Sequence, residues 1–118
     1  MAIPALARPA AVLALALFAA APAAAASFAC TGALKPDEAA VCAHRDLSNA
    51  DVKMDTLYTT LARLVGMGQR GDLMDAQRAF LARRAACGDD LACLRSAYHD
   101  RIGELESALG ALAARGPF

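Results

Sequence analysis

The sequence predicts an all-α domain: a small irregular helical bundle of three main helices plus a short N-terminal helix, stapled by two disulfides. Three observations carry that expectation. Apolar residues recur at helical spacing, as in Leu91, Leu94, Tyr98, Ile102 and Leu105. No alternating strand pattern interrupts them. Four cysteines, Cys30, Cys42, Cys87 and Cys93, fall in a short chain, and their even number reads as a disulfide framework of an exported protein.

Residues 1–26 read as a secretory signal peptide and are set aside from the fold. Arg8 precedes an apolar run from Ala10 to Ala21, then helix-breaking Pro22 and an A-x-A pattern at Ala24 and Ala26. The run is too short to span a bilayer. Cleavage is expected after Ala26, with Ala23 and Ala25 as alternatives. The mature chain, 27–118, is then a single helical domain with a frayed tail at 115–118. The positive mean hydropathy comes largely from the alanine-rich leader. The remainder has no second long apolar run, so no transmembrane segment is expected in the mature protein, which would be periplasmic or secreted. Lipid anchoring at Cys30 is disfavoured. Ser27 stands where the attachment signal wants an aliphatic residue, and acylation would leave an odd cysteine.

Formal charge is zero over the whole chain, and about −1 once Arg8 leaves with the leader. No basic stripe with interleaved aromatics appears, which argues against nucleic acid as a partner.

Along the mature chain, Ser27 to Lys35 reads as an extended lead. Pro36 suits the first position of a short helix ending near Ala43, with Asp37 and Glu38 in its first turn. Ser48 is expected to cap the next helix, with Asp51 three residues on and Leu47 packing on Val52 as a hydrophobic staple. Met54, Leu57, Tyr58, Leu61, Leu64 and Val65 would form its apolar stripe. Gly66 to Gly71 reads as a flexible loop. Asp72 would cap a third helix to about Ala86, with Met74, Gln77, Phe80 and Leu81 inward. Cys87 and Gly88 end it, and Asp89 or Asp90 caps the last helix, which runs to about Ala113. Four cysteines allow three pairings. Cys30–Cys42 and Cys87–Cys93 are expected because each closes a local loop. A domain this size buries only about 60–65% of its unfolded surface, so staples matter.

Candidate sites compete with structural explanations. Cys87 and Cys93 lack the C-x-x-C spacing of a redox pair. His44 and His99 sit in no spaced ligand set, so no metal and no cofactor are expected. Asp37, Glu38, Asp51, Asp72, Asp75, Asp89 and Asp90 all lie near helix starts, where capping and dipole compensation account for them without glycosidase chemistry. No nucleophile–base constellation appears, and an enzyme is not expected. Tyr58, Gln77, Arg84, Tyr98 and Arg101 form a further set, in which Gln77 and Arg84 are polar residues on or beside an apolar face. They read first as an internal hydrogen-bond network and second as a partner surface.

These residues also carry a family pattern. Its segments are Ser27-Phe28-x-Cys30, Glu38-x-x-Val41-Cys42, and Leu47-Ser48-x-x-Asp51 followed by Tyr58. They continue as Gln77-Arg78-x-Phe80-Leu81-x-x-Arg84-x-x-Cys87 and Cys93-Leu94-x-x-x-Tyr98-x-x-Arg101-Ile102-x-x-Leu105. In this ordered set the chain resembles the LprI-type lysozyme inhibitor family of small exported bacterial domains. Phe80 stands where the family usually has tryptophan, which loses an indole donor. Ala85 stands where an acid commonly follows the motif arginine, which leaves Arg84 without a local partner. The resemblance implies an exported protein that binds and blocks a lysozyme. A rigid turn at Gly88, Asp89 and Asp90 would be the contact, blocking the enzyme's cleft sterically. The alternative is a periplasmic adaptor or immunity-type protein binding another envelope partner, through the Gly66–Gly71 loop or the extension carrying Leu109 and Leu112.

Overall fold

The computed structural model describes residues 1–2 and 25–116. Most of the predicted leader, and the tail residues Pro117 and Phe118, lie outside the described residues. Four helices follow a short extended lead: α1 (Pro36–Ala43), α2 (Arg45–Leu64), α3 (Met67–Cys87) and α4 (Leu91–Ala113). The described residues contain no strand. Among them, no helix is long and apolar enough to cross a membrane.

The first and last helices have identifiable starts. Pro36 occupies the first turn of α1, and the Lys35 N–H donates to Glu38 Oε2 at 2.9 Å, which satisfies a donor left free at the helix end. Asp90 caps α4 by accepting from the Cys93 N–H at 3.1 Å. Both expected disulfides are present, Cys30–Cys42 and Cys87–Cys93. The first ties the lead to α1; the second closes the α3–α4 turn.

The middle of the chain departs from expectation. Helix α2 begins at Arg45, one extended residue, His44, after α1 ends. Ser48 therefore lies inside α2 and is not its cap. Its hydroxyl instead donates to the Val41 carbonyl at 2.6 Å, satisfying an acceptor at the end of α1 across the corner. The expected staple is also absent, since Leu47 is buried whereas Val52 is exposed.

The Gly66–Gly71 segment is helical from Met67 onward, so Asp72 lies within α3 and does not cap it. Glycine weakens a helix by about 1 kcal/mol per residue, which is why this stretch reads as a loop. Arg70 supplies the compensation. Its Nε donates to the Ala62 carbonyl at 2.7 Å and its Nη2 to the Val65 carbonyl at 3.3 Å. The guanidinium thus clips the first turn of α3 onto the open carbonyl end of α2.

The largest helix–helix interface is α2 against α4. It is a narrow seam, with Leu47, Met54 and Leu61 from α2 meeting Leu94, Tyr98, Leu105 and Leu112 from α4. Buried residues seven apart on α2 are the mark of two helices meeting edge to edge. The broader stripe expected on α2 is correspondingly trimmed: Leu57, Tyr58 and Val65 are half-buried and Leu64 is exposed. On α3, Gln77, Phe80 and Arg84 are buried, but Met74 and Leu81 face outward. Leu112 is buried and Leu109 half-buried, so the end of α4 packs onto the bundle.

Candidate functional site

Three features could carry function: a buried polar cluster, the disulfide-closed turn, and an open trough beside the cluster.

The cluster is built mainly from motif residues, with Asp37 added from α1. Arg84, 8% exposed, reaches from α3 toward two carboxylates. Its Nε donates to Asp37 Oδ2 at 2.8 Å, and its Nη1 lies 3.6 Å from Asp51 Oδ1. Nη1 also donates to the Tyr98 hydroxyl at 3.3 Å, and that hydroxyl donates to Asp51 Oδ1 at 2.8 Å. The lead closes the cluster from above. The Ser27 N–H donates to Asp51 Oδ2 at 2.7 Å, and the Phe28 ring centre lies 5.2 Å from the Arg84 guanidinium carbon, a cation–π contact. Asp37 and Asp51 therefore do more than compensate helix dipoles, and Arg84 does not lack a partner: its acid comes from α1.

The electrostatics suit fixed roles. Burial, and then the neighbouring Asp51 carboxylate, push the Tyr98 phenol well above its ordinary value of about 10, against the opposing influence of Arg84. The hydroxyl is therefore a permanent donor at neutral pH. Burial alone would lower the pKa of Arg84; its bonds to Tyr98 and Asp37 outweigh that and raise it, so the guanidinium stays charged.

Gln77 and Arg101 form a second, adjoining set. Arg101 Nε donates to Gln77 Oε1 at 3.1 Å, and Gln77 Nε2 donates to the Met54 sulfur at 3.2 Å. Arg101 also reaches Glu104 Oε2 at 3.0 Å and the Leu73 carbonyl at 3.5 Å. Phe80 packs edge-on to Tyr98, with ring centres 5.1 Å apart. Among the described residues, no buried side-chain polar atom lacks a hydrogen-bond partner. These residues hold the fold together and offer little to a partner.

The α3–α4 turn differs. Gly88 has φ +57°, a backbone setting that side chains rarely adopt, and its N–H donates to the Ala85 carbonyl at 3.1 Å. Asp89 and Asp90 are exposed. Asp90 is committed to the α4 cap. Asp89 has no hydrogen-bonded or ion-paired side chain among the described residues. Cations on the adjoining helices are engaged, Arg83 with Asp100 and Arg95 with Asp46, each pair within 2.8 Å. The Asp46 carboxyl is held below its ordinary value first by its bond to Arg95. The turn thus presents an uncompensated acid on a cross-linked knuckle.

The trough lies under the lead, between α2 and α3. Phe28, Met54, Tyr58, Met74 and Leu81 line a concave space of about 440 Å³, with Glu38 and Asp55 beside them. Tyr58 is half-buried here and takes no part in the cluster. Among the described residues, no group of three or more His, Cys, Asp or Glu side chains is placed to hold a metal. The members of the cluster that sequence reasoning missed are Ser27, Phe28 and the pairing role of Asp37. One signal pointed toward them: an arginine on an inward helix face requires an acid from elsewhere.

The family model described as "Lysozyme inhibitor LprI" matches residues 30–115, which takes in both disulfides, the buried cluster apart from its lead, and the closed turn. No curated protein and no solved structure matches the chain. The match spans most of the chain, and the protein belongs to the LprI lysozyme inhibitor family.

Proposed function

We propose that this protein is exported through the leader at 1–26 and inhibits a peptidoglycan-cleaving lysozyme by steric occupation of its cleft. The membership supports the inhibitor class, and that class is one of binding proteins and not of catalysts. Two disulfides suit an oxidising compartment outside the cytoplasm. One observation carries the mechanism: the Gly88–Asp90 turn is exposed, cross-linked at its base and bears an acid with no partner of its own among the described residues. A cross-linked turn loses little conformational freedom on binding, and a free carboxylate suits a cationic enzyme. Because Asp90 caps α4, Asp89 is the residue free to make the contact. Asn caps a helix as well as Asp does, so replacing Asp89 and Asp90 together with Asn leaves the fold intact. That double variant is expected to inhibit lysozyme-driven cell-wall lysis less than the parent does. Unchanged inhibition would remove the turn from the contact.

A second reading, an adaptor for another envelope protein, is favoured by the trough, where Met74 and Leu81 are each about 40% exposed beside Phe28 and Tyr58. The Gly66–Gly71 helix and the packed end of α4 no longer support it. Inhibition lost on substituting Met74 and Leu81, but not Asp89, would move the contact to the trough.

A further inference from the structure

The buried cluster is one positive charge short. Asp37 and Asp51 are 2% and 0% exposed, and Arg84 alone among the described side chains pairs with them. The neighbouring buried cation, Arg101, is spent on Gln77, Glu104 and the Leu73 carbonyl. Two carboxylates against one guanidinium leave a net negative charge where water is largely excluded, an arrangement that costs stability unless a further cation meets it. The atom nearest to filling that role is the Ser27 nitrogen, 2.7 Å from Asp51 Oδ2. In the uncut chain it is an amide, a neutral donor.

We propose that removal of the leader after Ala26 turns this nitrogen into the α-ammonium of Ser27, which forms an ion pair with Asp51 and neutralises the cluster. The inference rests on reading residues 1–26 as a cleaved leader. A leader peptidase adds water across the Ala26–Ser27 amide. The new carboxylate stays on Ala26, and the released amine takes up a proton, its ordinary pKa being about 8. The other partners are already in place. Asp51 Oδ1 is held by Tyr98, so Oδ2 points at the lead. The Cys30–Cys42 bond fixes the lead three residues downstream, and Phe28 packs over Arg84. The ammonium therefore arrives with little left to order, and an ion pair replaces an amide-to-carboxylate bond of the same geometry. Processing then does more than release the domain: it completes the core, and the mature form is more stable than any form with a residue ahead of Ser27.

The test starts with the chain exported from its own leader, purified oxidised and weighed intact. The expected mass begins at Ser27. The comparison form carries Gly-Gly inserted between Ala26 and Ser27, so the same cut leaves the ammonium two residues away. Its melting midpoint is expected to fall by about 5 °C. In an Asp51→Asn background the two forms are expected to melt together. Should that variant fail to fold, carbamylation by cyanate decides: the α-amine of the authentic form should react at least about tenfold more slowly than that of the extended form. A start at any other residue overturns the proposal, including a start at Ala26, which is buried in the uncut chain. An uncut chain also overturns it, and with it the leader reading. A start at Ser27 with equal melting midpoints, a difference that survives Asp51→Asn, or equal carbamylation rates overturns the ion pair alone.

Discussion

The last turn of α3 and the loop that follows it use charge in opposite ways. Within the helix, Arg84 is buried with Asp37 and Asp51, and every polar atom there is answered. At its C-terminus, the turn to α4 exposes Asp89, which has no side-chain partner among the described residues. The buried cluster is built mainly from motif residues, whereas Gly88, Asp89 and Asp90 lie between the two motif cysteines of a disulfide. The first can be disturbed only at the expense of the fold, whereas the second can lose its charge with little structural consequence. A recurring residue pattern therefore does not locate a contact surface. Burial and partner satisfaction separate residues that make the domain from residues free to meet something else.

The contrast is broken most strongly at Arg84. Replacing Arg84 with Met leaves Asp37 without its ion-pair partner and takes one from Asp51, and a loss of about 3–5 kcal/mol is expected in denaturant titration. A loss under 1 kcal/mol would mean that water already reaches the cluster. Next is the turn's own staple: Cys87→Ser with Cys93→Ser should cost about 2–3 kcal/mol through the freed loop. Inhibition should weaken further than that loss explains, because the knuckle is no longer rigid.

Tyr98→Phe removes the hydroxyl that donates to Asp51 and should cost about 1–3 kcal/mol. It also carries a pH signature. The folded phenol titrates above its unfolded value of about 10, so its contribution is fully present below pH 10 and is lost as pH rises toward the folded pKa. Melting midpoints of the parent should therefore fall more steeply above pH 10 than those of Tyr98→Phe. Parallel profiles would contradict the buried donor. The smallest effect on stability is Asp89→Asn, expected within about 0.5 kcal/mol of the parent, as for a surface change that touches no partner. Its effect should appear in inhibition alone.

What the sequence revealed follows the range of the interactions. Pro36 at the start of α1, Asp90 as the cap of α4, and both cysteine pairs are local signals, complete within a dozen residues. The inward positions of Gln77, Phe80 and Tyr98 follow from helical periodicity. The misreadings are long-range. Ser48 and Asp51 look like a capping pair, but one bonds the end of α1 and the other Tyr98, 47 residues away. Arg84 meets Asp37 across the same separation, where no adjacent-residue pattern can show it. The glycine-rich start of α3 is helical because Arg70 anchors it to another helix, a tertiary contact that overrides local propensity. The turn is legible as a shape, but the contact proposed for it is not, since an exposed acid looks the same in sequence whether or not anything binds it.

The most direct measurement is a cell-wall lysis assay. The oxidised mature domain and Asp89→Asn would be titrated against several lysozymes, beside a reduced and alkylated control, with each protein's fold checked by circular dichroism. Dose-dependent inhibition by the parent is predicted, weakened in Asp89→Asn at unchanged stability and abolished in the reduced control. A well-folded parent that inhibits no lysozyme, or an Asp89→Asn variant that inhibits as well as the parent, would contradict the assignment of contact to the stapled turn.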